Sequence, residues 1–263
     1  MSTVSYPMAD TATMLRRNLR HAQRYPALSL GAVGMPVIMM LLFGLIFGDT
    51  FSAGLGGGKG FDYIDFLTPG ILLMSIASGT MSPAVGAAMD MTEGIVARFR
   101  TMAIFRPAVL TGRVLGNVLV TIVSLALVIG FAVLIGFRPN ASFTDWLLAG
   151  ALLIALTVAL TWFAIALGLT SKTPEGASNI VLPISLLLPF LSNTFIPLES
   201  MPSGIRWFAE YQPFTAIIDT LRHLLLGAPM DPGTGWLSIA WCVAIALVGY
   251  FWAQKTYNKG TVA

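Results

Sequence analysis

The sequence predicts an all-α, polytopic membrane protein with six transmembrane helices, and three observations carry that reading. The chain has 263 residues, 56% of them hydrophobic, and its mean hydropathy is +0.80. Only 10% are charged, against about 25% in soluble domains. The apolar residues gather in runs long enough to cross ~30 Å of hydrocarbon, with the charges in short segments between them. A chain this apolar cannot cover itself with polar surface, so its solvent is lipid. The whole of 1–263 reads as a single transmembrane domain.

The elements follow in order. Residues 8–25 carry Arg16, Arg17, Arg20 and Arg24 beside Met14, Leu15 and Leu19. That pattern predicts an N-terminal amphipathic helix on the membrane face, basic side to the headgroups and apolar side among the acyl chains. The polar, basic character of this stretch argues against a cleavable signal peptide. Pro26 stands where a helix can start. Span one is placed at 27–48 and a Gly-rich loop follows. Span two, 63–89, is rich in small and hydroxylated residues, among them Ser75 and Ser78. Such residues let helices approach closely or line a polar path.

Span three is placed at 108–136, with Arg113 near one end, where it can snorkel to the interface. Span four is 144–170. Span five, 177–196, holds Asn179, Pro183, Ser185, Pro189, Asn193 and Phe195, and its prolines remove backbone donors and bend it. The segment 197–233 is too polar to span and too apolar to be a free loop. It reads as two short helices dipping into the outer leaflet. Span six is 235–253.

Six spans put both ends on one side, and charge chooses the side. With the N-terminus inside, the inner segments hold Arg16, Arg17, Arg20, Arg24, Arg98, Arg100, Arg106, Arg113, Lys172, Lys255 and Lys259. The outer segments hold only Lys59, Arg138, Arg206 and Arg222. An excess of Lys and Arg marks the cytoplasmic side. The net charge of +3 is small and its clustering reads as topology, not nucleic-acid binding.

One charged island interrupts the apolar chain, Thr92 to Pro107. Read as a helix, it lines up Ile95, Phe99 and Met102 on one stripe, while Arg98, Arg100 and Arg106 hold it at a polar surface. A helix of this kind either lies on headgroups or offers its stripe to a soluble partner. Chemistry alone leaves both uses open.

Several other chemistries find no support. Gly54-Leu55-Gly56-Gly57-Gly58-Lys59-Gly60 resembles a phosphate loop but lacks its first Gly and the Ser or Thr after Lys. The single cysteine, Cys242, excludes an internal disulfide and reads as a small core or lipid-facing residue. His21 and His223 have no ligand-spaced companions, so no metal site is expected. No catalytic set can be assembled. Asp219, Arg222 and His223 stand at i, i+3 and i+4 and are expected on one helix face, either as a local ion pair or as an exit-side substrate site. Asn117, Asn179 and Asn193 either bond between helices or line a path.

Two stretches then resemble a known family. One is Glu93-Gly94 with Arg98-Phe99-Arg100-Thr101-Met102, continuing to Ala108-Val109-Leu110-Thr111-Gly112-Arg113. The other is Ser192-Asn193-Thr194-Phe195-Ile196-Pro197, then Met201-Pro202, Phe208-Ala209-Glu210-Tyr211-Gln212-Pro213, Asp219-Thr220-Leu221-Arg222 and Gly227. Along nearly its whole length the chain resembles the type 2 ABC-exporter permeases, in particular the daunorubicin-resistance-type drug permeases. One departure is that Glu93 stands nearly alone where many relatives carry a longer acidic run.

The resemblance implies roles for each part. Residues 90–106 become a cytoplasmic coupling helix that docks on a separate ABC ATPase subunit through Glu93, Ile95, Arg98, Phe99, Arg100 and Met102. Residues 8–25 become the connecting helix, and 197–233 become outer re-entrant helices. A second permease chain, identical or related, completes a dimer in the cell membrane, both termini cytoplasmic. Spans one, two and five line the path, where Ser75, Ser78, Asn179, Ser185, Asn193 and Phe195 are the candidates. No cofactor is expected in this chain, since ATP and Mg belong to the partner subunit. The expected function is outward movement of an amphipathic drug-like or lipid-like substrate. Its rivals are lipid or polysaccharide export by the same machinery, and an ATP-independent carrier or channel.

Overall fold

The computed structural model describes residues 26–46, 48, 63–93 and 106–259, and among them every regular element is a helix. Helix α1, Pro26–Leu41, passes into a π turn at Leu42–Ile46. Then come α2 (Tyr63–Gly79), α3 (Met81–Thr92), α4 (Arg106–Ile135), α5 (Phe143–Thr170) and α6 (Pro174–Phe190). A 3-10 turn, Leu198–Ser200, precedes α7 (Ser203–Tyr211), α8 (Pro213–Leu226) and α9 (Pro232–Lys259). The expected amphipathic helix 8–25, the Gly-rich loop and most of the 90–106 helix lie outside the described residues.

Among the described residues four stretches are long and apolar enough to cross a membrane: Tyr63–Thr92, Val109–Ile135, Phe143–Thr170 and Pro232–Asn258. The first span expected from the sequence is represented by a shorter apolar stretch, Val33–Ile46. The expected fifth span, 177–196, is helical only as far as Phe190. Proline chemistry sets this end. Pro189 cannot donate to the Ser185 carbonyl one turn back, and just beyond it Ser192 Oγ donates to the Pro189 carbonyl at 2.6 Å and closes the last turn.

Span two is likewise not one rod. Pro83 has no N–H for the Gly79 carbonyl, and its ring crowds that oxygen. The chain turns at Thr80, whose Oγ1 donates to the Ala77 carbonyl at 2.6 Å. The ends of other helices are read directly in local chemistry. Ser142 and Asp145 cap α5 reciprocally, the Asp145 N–H reaching Ser142 Oγ at 3.3 Å and the Ser142 N–H reaching Asp145 Oδ2 at 3.0 Å. Thr173 Oγ1 accepts from the Gly176 N–H at 3.0 Å, with Pro174 opening α6. Gly227, at φ 69°, closes α8 in the left-handed conformation.

Helix α5 is the central post. It runs alongside α9, where Gly249 lets the two backbones meet at Phe163. Trp162 meets Tyr250 edge-on at 5.0 Å, and Phe163 meets Trp252 at 5.7 Å. On another side, Gly168 admits the Ala84 backbone of α3. With little hydrophobic drive between helices in lipid, such close backbone approach is the main source of cohesion. The larger apolar core joins α1, α2, α4, α5 and α8 through residues such as Leu67, Ile71, Phe214 and Ile217. Cys242 is buried in it. A smaller core joins α3, α4, α5 and α9 around Ala87, Val114, Ile165 and Tyr257. Leu127 and Leu134 on α4, and Leu247 and Phe251 on α9, are exposed, as lipid-facing side chains are.

Candidate functional site

The turn that follows α6 is seated on α2 by three separate devices. Tyr63 Oη donates to the Phe195 carbonyl at 2.9 Å. Gly70 leaves the space that the Thr194 side chain fills, and a Cβ there would overlap it. The third device is Arg222 of α8. Its Nε and Nη2 donate to the Phe66 carbonyl at 3.1 and 3.0 Å, and Nη2 also donates to the Asn193 carbonyl at 2.7 Å. Its guanidinium carbon lies 3.7 Å from the centroid of the Phe66 ring. Asp219 supplies the counter-charge at 3.4 Å and accepts from Asn193 Nδ2 at 2.6 Å.

This arrangement joins three elements through one planar cation whose donors fit several acceptors at once. Burial pushes Arg222 down, to about 10, while Asp219 opposes the shift. The guanidinium therefore stays charged at neutral pH. Burial also pushes Asp219 up, with Arg222 opposing. Asn193 Oδ1 is buried and has no hydrogen-bond partner among the described residues.

His223 does not join them. The expectation of one shared face for Asp219, Arg222 and His223 is corrected: Arg222 is buried, while His223 is exposed with Nδ1 2.7 Å from the Ala228 carbonyl. Positions i+3 and i+4 straddle the helix edge, and packing against α2 takes only the first. Neighbouring aromatic rings complete the site. Phe195 is buried, with its ring centroid 4.5 Å from Phe43 and 4.6 Å from Phe190. Phe43 belongs to the π turn that ends α1, so the ring cluster links α1, α6 and the turn. The resemblance had singled out Asn193, Phe195 and Arg222; nothing local in the sequence pointed to Phe43 and Tyr63 as partners of Phe195, or to Phe66 as the partner of Arg222.

The remaining path candidates are spread out. Ser75 is buried in α2, and Ser78 Oγ donates to the Met74 carbonyl at 2.8 Å. On α6 the buried stripe is Ala177, Val181, Ser185 and Pro189, whereas Asn179 lies exposed on another face. Ser185 lines an apolar cleft between α2, α5 and α6, together with Thr80, Leu160, Phe163, Val181 and Phe214. Its Oγ donates to the Leu182 carbonyl at 3.1 Å. Both hydroxyls of the cleft are thus satisfied by their own helices.

At the other end of α2–α3, the structure corrects the reading of Arg113. It does not snorkel. Its guanidinium forms an ion pair with Asp90 and donates from Nη1 to the Pro83 carbonyl at 3.3 Å. Asp90 drew no attention in the sequence because it sits at the margin of the charged island. Asn117 Nδ2 donates to Thr161 Oγ1 at 2.8 Å, so it joins α4 to α5. Of the coupling candidates, Glu93 caps α3 with an exposed side chain; Ile95, Arg98, Phe99, Arg100 and Met102 lie outside the described residues. Among the described residues no group of three or more His, Cys, Asp or Glu is placed to hold a metal ion.

A family model described as ABC-2 type transporter matches residues 9–226, which takes in the whole Arg222 site. The chain belongs to this family. Among relatives of this ABC-2 chain is the daunorubicin resistance ABC transporter permease protein DrrB1 of Streptomyces coeruleorubidus. It is 29% identical over 244 residues, covering 93% of this chain and 83% of the relative. The Mycobacterium tuberculosis protein named "Probable doxorubicin resistance ABC transporter permease protein DrrC" is 26% identical, over 92% of this chain and 85% of its own. The inner membrane transport permease YadH of Escherichia coli is 26% identical, over 73% of this chain and 74% of its own. The chain is thus a multi-pass ABC-2 permease, homologous to permeases named for drug resistance.

Proposed function

We propose that this permease is the membrane half of an ATP-driven exporter that moves an amphipathic, drug-like substrate outward. The observation that carries the reading is the family match over 9–226, on a chain with helices of membrane-crossing length. A separate ABC ATPase subunit binds ATP and Mg and grips the 90–106 helix through Glu93, Ile95, Arg98, Phe99, Arg100 and Met102. A second permease chain completes the path. All six apolar segments cross the membrane, α1 and α6 among them, with both termini cytoplasmic and 197–233 at the outer face.

In this reading ATPase closure moves the 90–106 helix, and its grip differs between open and closed states. The exposed face of α6, with Asn179, Leu182 and Leu187, turns to the partner chain. The buried unpaired Asn193 Oδ1 offers one hydrogen bond to a passing donor, and Ser75, Ser78, Ser185 and Phe195 add small polar and aromatic contacts. Asp219 and Arg222 hold the outer end of the path together, with His223 at its rim. One observation favours a hydrocarbon-rich, lipid-like cargo as a second reading. The α2–α5–α6 cleft shows apolar side chains and two hydroxyls that are already satisfied.

The test is co-purification with the co-expressed ATPase, followed by ATP hydrolysis with and without daunorubicin. Stable capture and stimulated turnover are expected. A permease that recovers no ATPase, or cells that accumulate daunorubicin equally with and without the pair, would count against the drug-export reading.

A further inference from the structure

Helix α3 ends at Thr92 and α4 begins at Arg106, so these two helix ends, which flank residues 94–105 in the chain, form a neck. Across that neck lies the Asp90–Arg113 ion pair. Asp90 is in the last turn of α3. Arg113 is seven residues into α4, about 10 Å along its axis. Its guanidinium lies along α3, bonded to the Pro83 carbonyl at one end and to Asp90 at the other. Those two positions are seven residues apart, hence on one helix face. Between them stands Gly86, where a Cβ would overlap the Arg113 guanidinium. The groove for this cation is therefore built by three residues of α3 acting together.

The two side chains are only 13% and 11% exposed. Stability does not explain such a pair, because taking two charges out of water costs about as much as their attraction returns. Fixing geometry does. Helix α3 rests mainly on α5 and α6, while α4 rests mainly on α2, α5 and α1, and the direct contact between α3 and α4 is narrow. A charged pair across a narrow contact makes two helices one body.

We propose that Asp90 and Arg113 are positioning residues that clamp the neck of the 94–105 segment, so that a pull on it reaches α3 and α4 together. The direction of that pull rests on the proposed ATPase partnership; the clamp itself does not.

The test has two arms. In a Cys242→Ser background, spin labels at Thr92→Cys and Arg106→Cys report the neck distance. The clamp predicts a narrow distribution that broadens in Asp90→Asn, Arg113→Gln and Gly86→Val. Arg113→Lys, which keeps the charge for Asp90 but not the fork that also reaches Pro83, should recover part of the narrow form. Gly86→Val leaves both charges in place, so its broadening comes from displacement alone. Unchanged widths in all three variants would overturn the clamp. The second arm measures daunorubicin-stimulated ATP hydrolysis of the whole complex. Asp90→Asn should lower it roughly tenfold, equivalent to ~1.4 kcal/mol, with ATPase capture retained. Stimulation at the wild-type level in a variant whose neck has broadened would overturn the transmission of force. A broadened neck in a chain that never binds an ATPase would leave the clamp standing and remove the proposed partnership.

Discussion

Arg222 Nη2 lies 2.7 Å from the Asn193 carbonyl oxygen, a bond between α8 and the turn that follows α6. With the Phe66 carbonyl taken by the same guanidinium, this side chain decides how α8 and the turn after α6 sit on α2. Removing it takes one donor from each of two carbonyls and the cation from beside Asp219.

Arg222→Ala should therefore destabilise the fold by about 2–3 kcal/mol, the scale of lost hydrogen bonds to a charged group, because Asp219 is 36% exposed and keeps its bond from Asn193. Arg222→Lys should recover only part, because a single ammonium cannot replace the planar fork. Thermal unfolding of the purified chain in detergent checks both. Equal melting temperatures for wild type and Arg222→Ala would contradict this role.

Asn117 should prove a packing residue. Its bond to Thr161 is of the kind whose coupling averages about 0.6 kcal/mol and stays below ~2 kcal/mol. A double-mutant cycle with Asn117→Ala and Thr161→Ala should return a coupling in that range, with the proposed export activity unaltered. Altered substrate preference in Asn117→Ala would instead place it on the path.

Topology can be read by labelling. In a Cys242→Ser background, cysteine at Lys59 or Ser203 should react with an impermeant thiol reagent applied outside intact cells, while cysteine at Thr173 should not. The charge asymmetry of the loops motivates the expectation, and the opposite pattern would invert the proposed orientation.

Phe99 tests the coupling helix. If its ring enters an ATPase groove, Phe99→Ala should cost about 2 kcal/mol of binding, roughly a thirtyfold loss of affinity. Capture of the ATPase should fall while membrane insertion is unchanged, with Thr92→Ala as the exposed control. Wild-type capture by Phe99→Ala would mean that the stripe rests on lipid.

Much of this molecule is legible in one dimension because lipid imposes a one-dimensional rule. Backbone groups must be satisfied within the segment that crosses, so long apolar runs declare themselves as helices. The helical character of the long apolar runs followed from that rule; that Pro174 opens α6, and Pro213 and Gly227 bound α8, is seen in the fold. The family motif gathered Asn193, Phe195, Asp219 and Arg222 before any fold was known. Tertiary structure alone decided what those residues touch. Arg222 finds a carbonyl 156 positions away, and no periodicity encodes a partner at that separation. Arg113 looked like an interfacial cation because its counter-ion, Asp90, is 23 residues distant across a segment that reads as polar. His223 left the face of Arg222 because burial against α2 divides neighbouring positions more sharply than helical spacing does. Proline marks both spans two and five in the sequence, but whether the helix bends or ends there depends on which local donors take the carbonyls of the last turn. Here the Thr80 hydroxyl takes the Ala77 carbonyl and the Ser192 hydroxyl takes that of Pro189, and only the folded chain shows that.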